Sequence, residues 1–259
     1  MFSASCAMYP GYSHRQSILT MVAELDAGEF VEPGLGALSL SHIQLVPQNK
    51  GQITEELIDE LSLLSPTSKF RLHANAPVME RHVFVDLNEL DKQWDYFAHI
   101  KTINQALGNP DYSLHSGRRT CSLRSLFDKA QRLQDFLGAR VAIEGQYKTA
   151  RAGVFLVNSW SEYESLLKSQ CFFALDLSHL NIVRFHEGPQ DDLVLAMLKD
   201  PKCIEVHLSN NDGTGDHHQV VSEDCWWSAM LSSISPEAVI FSEGNRRCAM
   251  VSKTNNQGD

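Results

Sequence analysis

Cys203-Ile-Glu-Val-His207-Leu-Ser-Asn-Asn-Asp212-Gly-Thr-Gly-Asp216-His217-His218 is an apolar run that ends in a histidine, turns at glycines and closes on an Asp-x-His pair. Neutral imidazole and carboxylate suit Zn, Fe and Mn, and ligands at a strand end and on the loop beyond it can converge on one ion. The stretch therefore reads as a strand feeding a metal site. Whether it does depends on what the other strand ends supply.

The same grammar recurs along the chain. Eight strand-like runs can be read: Phe2 to Met8, Leu38 to Val46, Phe70 to His73, Tyr112 to His115, Arg140 to Glu144, Cys171 to Asp176, Ile204 to His207 and Ala238 to Glu243. Helical patterns separate most of them. Ser13 is placed to cap a helix through Ala27, Thr54 opens a second, and Leu87 to Leu107 reads as one long amphipathic helix. Further helices are expected from Ser122 to Leu137, Ser161 to Leu167, Asp191 to Leu198 and Asp224 to Leu231. Strands alternating with helices imply a parallel sheet with right-handed crossovers, and eight such units predict an α/β fold, a single-domain (β/α)₈ TIM barrel. The barrel is expected over residues 1–250, with 251–259 a polar C-terminal tail.

In such a barrel the C-terminal strand ends form one mouth, and active sites lie there. Strands three to eight end in His73, His115, Glu144, Asp176, His207 and Glu243. His179, Asp216 and His218 follow closely in the adjoining segments. Any one of these alone is ordinarily a hydrogen-bonded structural histidine or a solvated carboxylate. Together they crowd uncompensated carboxylates at one mouth, which a divalent cation would neutralise. One ion takes about four to six ligands, so nine donors suggest more than one ion. His217 is expected to point away. His14, His42, His82, His99 and His186 read as surface or structural residues, with His42 and Gln44 weaker candidates for the pocket wall.

Composition narrows the function classes. The 259 residues are 43% hydrophobic and 21% charged, and no apolar run approaches the ~20 residues a membrane span requires. The N-terminus lacks the basic and long apolar regions of a secretory signal, so no membrane role and a cytoplasmic location are expected. Cysteines 6, 121, 171, 203, 225 and 248 show neither close pairing nor CxxC spacing, which argues for reduced thiols. A formal charge of −10 disfavours nucleic acid as a partner. Arg118, Arg119, Arg246 and Arg247 are the scattered bases near strand ends, and Arg118, Arg119 and Arg246 are candidates to hold a phosphate or carboxylate of a small-molecule substrate.

The ordered set His73 with Pro77, His115-Ser-Gly117, Glu144, Asp176-Leu-Ser-His179, His207-Leu-Ser-Asn-Asn-Asp212, Asp216-His-His218 and Glu243 resembles the xylose isomerase-like barrel superfamily. That superfamily includes sugar-phosphate isomerases and epimerases and the endonuclease IV (AP endonuclease family 2) enzymes. The resemblance runs from about residue 70 to 245. In the isomerase branch it implies a single Mn, Mg or Co held by Glu144, Asp176, His207 and Glu243. Glu144 and Glu243 would also exchange protons next to a carbonyl. In the endonuclease branch all nine positions, His73, His115, Glu144, Asp176, His179, His207, Asp216, His218 and Glu243, correspond to ligands of three zinc ions that activate water against a phosphodiester. Related barrels use two or three irons to oxidise cysteine-containing peptides, which would call for a peptide-presenting partner protein; a homo-oligomer is equally compatible with the chain. The expectation is a metal-dependent isomerase or epimerase with one to three divalent ions (Mn, Zn or Fe). The alternatives are a trinuclear zinc phosphodiesterase and a multinuclear non-haem iron oxygenase.

Overall fold

Strand pairing runs around a ring. In the computed structural model, which describes residues 1–148 and 155–247, the strands are β1 (Phe2–Ser5), β2 (Val31–Glu32), β3 (Gly36–Leu45), β4 (Lys69–Leu72), β5 (Tyr112–His115), β6 (Val141–Glu144), β7 (Phe172–Asp176), β8 (Cys203–Leu208) and β9 (Val239–Ser242). β5 through β9 pair in sequence order, β9 pairs with β1, β1 with β3 and β3 with β4, all in parallel. His73, one residue past β4, makes a parallel bridge to Ser113 of β5 and completes the circuit. This is the mixed α/β, largely parallel TIM-barrel architecture expected from the sequence. β2 stands outside the ring as an antiparallel arm on β3 that the sequence reading did not foresee.

The helices are α1 (His14–Asp26), α2 (Glu55–Leu64), α3 (Trp94–Ala106), α4 (Leu123–Leu137), α5 (Trp160–Lys168), α6 (Leu177–Glu187) and α7 (Asp191–Lys199). Local chemistry fixes their ends. Ser13 and Gln16 form a reciprocal capping box, and the Thr54 and Ser122 hydroxyls accept from Leu57 and Ser125 backbone N–H groups. Gly138 closes α4 in the left-handed region at φ 70°, where a Cβ would be unfavourable.

Two helical expectations need correction, and one helix was not expected. Leu87–Glu89 is a separate 3-10 turn, and α3 begins only at Trp94. Tertiary contacts hold that turn apart: the Asn88 amide donates to the Arg118 carbonyl and the Thr120 hydroxyl, while Lys129 Nζ donates to the Asn88 carbonyl. The helix expected at 224–231 is a 3-10 segment at Ser228–Ser233. The unforeseen α6 starts directly at the end of β7, because the Asp176 carboxylate caps it by accepting from Ser178 and His179 N–H.

One large apolar core lies between strands and helices, contributed by α-helical residues such as Ile18, Leu61, Ile100, Leu133 and Val183 and by strand residues such as Leu72 and Val206. A second, small cluster of Ala142, Ala174 and Ile204, with Phe172 against it, is separate. Side chains alternate along a strand, so Ala142 shares a face with Glu144, and Phe172 and Ala174 with Asp176. A register slip between Phe173 and Ala174 in the β7/β8 pair brings Ile204 to the same cluster. Two of the residues below the mouth, Ala142 and Ala174, are small, and this leaves room for polar side chains. Cys6, Cys203 and Cys225 are buried and Cys121 and Cys171 half-buried, all as free thiols. Cys248 and the tail at 251–259 lie outside the described residues. No helix among those described is long and apolar enough to cross a membrane.

Candidate metal centre

All nine donor residues come together at the C-terminal mouth. Glu144, at the end of β6, is the hub. Its carboxylate lies 3.4 Å from His73 Nε2, 3.7 Å from His115 Nε2, 3.3 Å from His179 Nδ1 and 3.3 Å from His207 Nδ1. On one flank, His179 Nε2 stands 3.4 Å from both Asp176 Oδ2 and Asp216 Oδ2, and His218 Nε2 is 3.0 Å from Asp216. Glu243, just past β9, closes the ring at 3.9 Å from both His207 Nδ1 and His218 Nδ1. His115 remains partly accessible and touches Asp86 at 3.6 Å.

Four sets of three donors have ligand atoms within 4.8 Å of one another: His73/Glu205/His207, His73/His115/Glu144, Glu144/Asp176/His179 and Asp176/His207/Glu243. Several buried atoms at the mouth lack any hydrogen-bond partner. Glu144 Oε2, His207 Nδ1, His218 Nδ1 and Glu243 Oε1 are all of this kind. Burying an unsatisfied polar atom costs about 1–3 kcal/mol, more for a charged one. Four such atoms around one space are what a bound cation would satisfy, so the donor set fits one or more divalent ions. His179 is also correctly prepared. Its Nδ1–H can donate to the Gly145 carbonyl at 3.0 Å, turning Nε2 toward Asp176 and Asp216.

The protonation pattern reflects the same crowding. Burial would raise Glu144, but the surrounding His207, His73 and His115 rings hold it well below the usual carboxylate range. Burial dominates at Glu243, assisted by the Asp176 and Glu144 charges against His207 and His218, and pushes it up to about 7. Burial lowers His73 to about 3 despite Glu144. For His179 burial is overcome by Asp176, Asp216 and Glu144, which lift it to about 10; Asp216 and Glu243 likewise lift His218 to about 9. His207 is raised well above its ordinary value by Glu243 and Glu144 against its burial. Protons therefore neutralise the mouth in the metal-free chain.

Backbone strain marks the same place. Ala74, next to His73, and His218 have φ of 38° and 45°, left-handed values that cost a non-glycine residue roughly 1 kcal/mol or more. The Asn245 N–H holds the His218 carbonyl at 2.6 Å. Gly117, in the turn after His115, is required as glycine: a Cβ there would lie 2.1 Å from Asn88 Oδ1.

A cavity of about 110 Å³ opens above the donors, rimmed by Pro47, Gln48, Gln146 and Tyr147. No Lys or Arg lines it among the described residues. None of the candidate substrate arginines lines it. Arg119 forms a two-point pair with Glu162 on α5 at 2.7 and 2.9 Å. Arg246 reaches Glu24 of α1 at 2.6 Å and the Val31 and Glu29 carbonyls. Arg118 is exposed and bridges Phe155 through its backbone. His217 points away to Asp212, 3.6 Å distant and in solvent. His14, by contrast, is fully buried and holds the Val46 carbonyl at 3.1 Å.

One buried acid escaped the sequence reading. Glu205 sits two residues before His207 and is 1% exposed. It contacts His207 Nε2 at 2.7 Å and Gln44 Nε2 at 3.0 Å, accepts from Ser113 Oγ, and pairs with Arg71 at 3.2 Å. Burial would raise it, but His207 and Arg71 bring it down to about 2. The signal was the i, i+2 alternation, which puts both side chains inside the ring. Gln44, expected at the pocket wall, lies in this same layer beneath the mouth.

Comparison with solved structures finds the same fold at low sequence identity. It is similar to a D-tagatose 3-epimerase-like protein (13% identity, TM-score 0.66, covering 99% of this chain and 95% of that one). A xylose isomerase domain-containing protein from Salmonella typhimurium gives 12% identity, TM-score 0.64 and 99% and 94% coverage. AP endonuclease, family 2, from Brucella melitensis gives 12%, 0.59, and 94% and 92%. The chain therefore has the xylose isomerase-like TIM-barrel fold. No family model and no curated protein matches it.

Proposed function

We propose that the protein is a divalent-metal-dependent isomerase or epimerase acting on a small polyhydroxylated carbonyl compound. The observation that carries this reading is the carboxylate pair Glu144 and Glu243. Both face His207 Nδ1, from the β6 and β9 sides of β8, and their surroundings drive their proton affinities apart. Carboxylates split in this way are suited to opposite acid–base roles. The likeness to sugar epimerases of the same fold agrees with it.

Glu144, Asp176, His207 and Glu243 would hold one ion, with His73, His115, His179, Asp216 and His218 available to a second or third. A bound divalent cation supplies Lewis acidity that makes hydrogens beside a carbonyl more acidic. The Glu144 carboxylate takes a proton from that carbon, leaving an enediolate, and the Glu243 carboxyl returns one from the other side. For the reverse direction the two exchange roles. Gln48, Gln146 and Tyr147 provide neutral hydrogen-bonding groups at the rim, which suits hydroxyl-rich substrates. The absence of rim cations among the described residues favours an uncharged sugar over a sugar phosphate.

A second reading, a phosphodiesterase of the AP endonuclease family 2 kind, is favoured by the donor count: four overlapping triads exceed what one ion needs. One experiment separates the two. The metal-loaded protein is incubated with a panel of ketoses and aldoses in D₂O and, separately, with a phosphodiester. Deuterium entering at the carbon next to the carbonyl supports the isomerase reading. Phosphodiester cleavage without deuterium uptake overturns it in favour of the hydrolase.

A further inference from the structure

Beneath the mouth, hydrogen-bond donors and acceptors can be assigned one by one, and the assignment ends at Glu205. Its Oε1 lies 2.7 Å from His207 Nε2. Two acceptors do not approach so closely, so Nε2 carries the proton and donates. Gln44 Nε2 is also 2.9 Å from that nitrogen, but its amide is oriented by Ser5 Oγ donating to Gln44 Oε1 at 2.8 Å. The Gln44 N–H therefore goes to Glu205 at 3.0 Å. Ser113 Oγ donates its single proton to Glu205 Oε1. Its lone pair is then left to accept from His73 Nδ1–H at 2.8 Å. Arg71 holds Glu205 Oε2 at 3.2 Å from below.

Two proton chains thus converge on one buried carboxylate: His207 Nε2–H to Glu205, and His73 Nδ1–H to Ser113 to Glu205. In both rings the opposite nitrogen is the one facing Glu144, at 3.3 Å for His207 Nδ1 and 3.4 Å for His73 Nε2. Glu205 Oε1 already takes three donors and Oε2 faces Arg71, so its oxygens are committed to the two proton chains and the guanidinium, although it shares one donor set with both rings.

We propose that Glu205 is a positioning residue that fixes the tautomers of His73 and His207 together, so that His207 Nδ1 and His73 Nε2 present lone pairs to the metal centre. A single carboxylate below the site sets two ligands, one just past β4 and one in β8. This rests on reading His73 and His207 as metal ligands. Partners that orient metal-bound imidazoles typically contribute 10–100-fold to metal affinity.

The test uses the full chain loaded with zinc, ¹⁵N-labelled at histidine, and metal affinity measured by chelator competition. In the native protein, His207 should show a slowly exchanging Nε2–H and His73 a slowly exchanging Nδ1–H. Glu205→Met should remove both signatures and weaken zinc by roughly 10–100-fold. Since that variant leaves Arg71 with only Asp111, the double variant Arg71→Met/Glu205→Met removes the buried ion pair as a unit. Such replacements are often tolerated by the fold. The double variant should fold and still lose the affinity and both signatures. Recovery of native affinity in the double variant would overturn the proposal, since Glu205 would then serve only to neutralise Arg71. Opposite tautomers in the native protein would also overturn it. If the native chain bound no zinc, both this inference and the metal reading would fall, whereas metal binding without isomerase turnover would leave Glu205 in place and remove only the isomerase.

Discussion

The two ends of the barrel handle charge in opposite ways. At the N-terminal end, a cavity of about 510 Å³ is lined by His42, Lys69, Arg71, Asp111 and apolar residues of α2 and α3. There the charges pair with one another: Arg140 grips Asp111 with two bonds at 2.9 and 2.8 Å, and Arg71 stands between Asp111 and Glu205 with only its Nε lacking a hydrogen bond. The mouth cavity is several times smaller, yet it leaves Glu144 Oε2, His207 Nδ1, His218 Nδ1 and Glu243 Oε1 without hydrogen bonds, facing one another only at 3.3–3.9 Å. Cavity size is therefore a poor guide to chemistry in this molecule. Convergent donors that the fold buries without satisfying are the better one.

The largest expected effect tests that difference directly. Glu243→Gln keeps the shape at the mouth and removes the exchangeable carboxyl, so kcat should fall by about 10²–10⁴-fold. Thermal unfolding should change little, because Glu243 Oε1 holds no hydrogen bond to lose. Native turnover in this variant would remove Glu243 from the proton-transfer step. His218→Ala comes next. It takes away a strained residue and the outermost ring of the Asp216 flank, and elemental analysis should show fewer ions per chain than the native protein; an unchanged count would leave that flank without a metal role.

Much of the mouth was legible in the sequence because its donors share one grammar: an apolar run, a ligand-type residue, then a turn. Asp176 was legible as a strand end but not as the cap of α6, since the cap and the candidate metal donor are the same carboxylate and the helix behind it carries Ser178, His179 and Asn181 in place of a clean apolar stripe. Glu205 was hidden for a different reason. Its meaning comes from Ser113, Arg71 and Gln44, which lie 92, 134 and 161 residues away. The 87–107 helix was over-read because Asn88 is drawn off by contacts to Arg118 and Thr120 that only the folded barrel supplies.

Proton competition gives a medium-sized effect. His179 and His218, lifted to about 10 and about 9 in the metal-free chain, carry protons at neutral pH and must lose them to bind an ion. Metal loading should release protons, and apparent affinity should rise as pH increases toward 9–10. In the metal-free protein the direction is reversed. Groups raised by folding contribute stability that is complete below the unfolded value near 6.5 and is lost as pH rises through 9–10. The increase in unfolding temperature on adding metal should therefore grow with pH across that window. Calorimetry in buffers of different ionisation enthalpy, together with melting curves, checks both; a flat metal-induced shift would show that protons do not occupy the ligand positions.

The smallest effect belongs to the other end of the barrel, and it carries the sharpest test of the contrast. Arg140 is about a third exposed, so its pair with Asp111 is screened by water, and Arg140→Gln should cost no more than about 1 kcal/mol. Turnover and metal count should not move. The reason is geometric: Asp111 keeps Arg71 at 3.4 Å, and Arg71 keeps Glu205, so the layer that orients His207 and His73 is anchored without Arg140. If Arg140→Gln nonetheless weakened metal binding, the chain Asp111, Arg71, Glu205, His207 would have transmitted a surface charge through the lumen. The two ends would then be one electrostatic unit, and the paired charges at the base would have to be counted as part of the site.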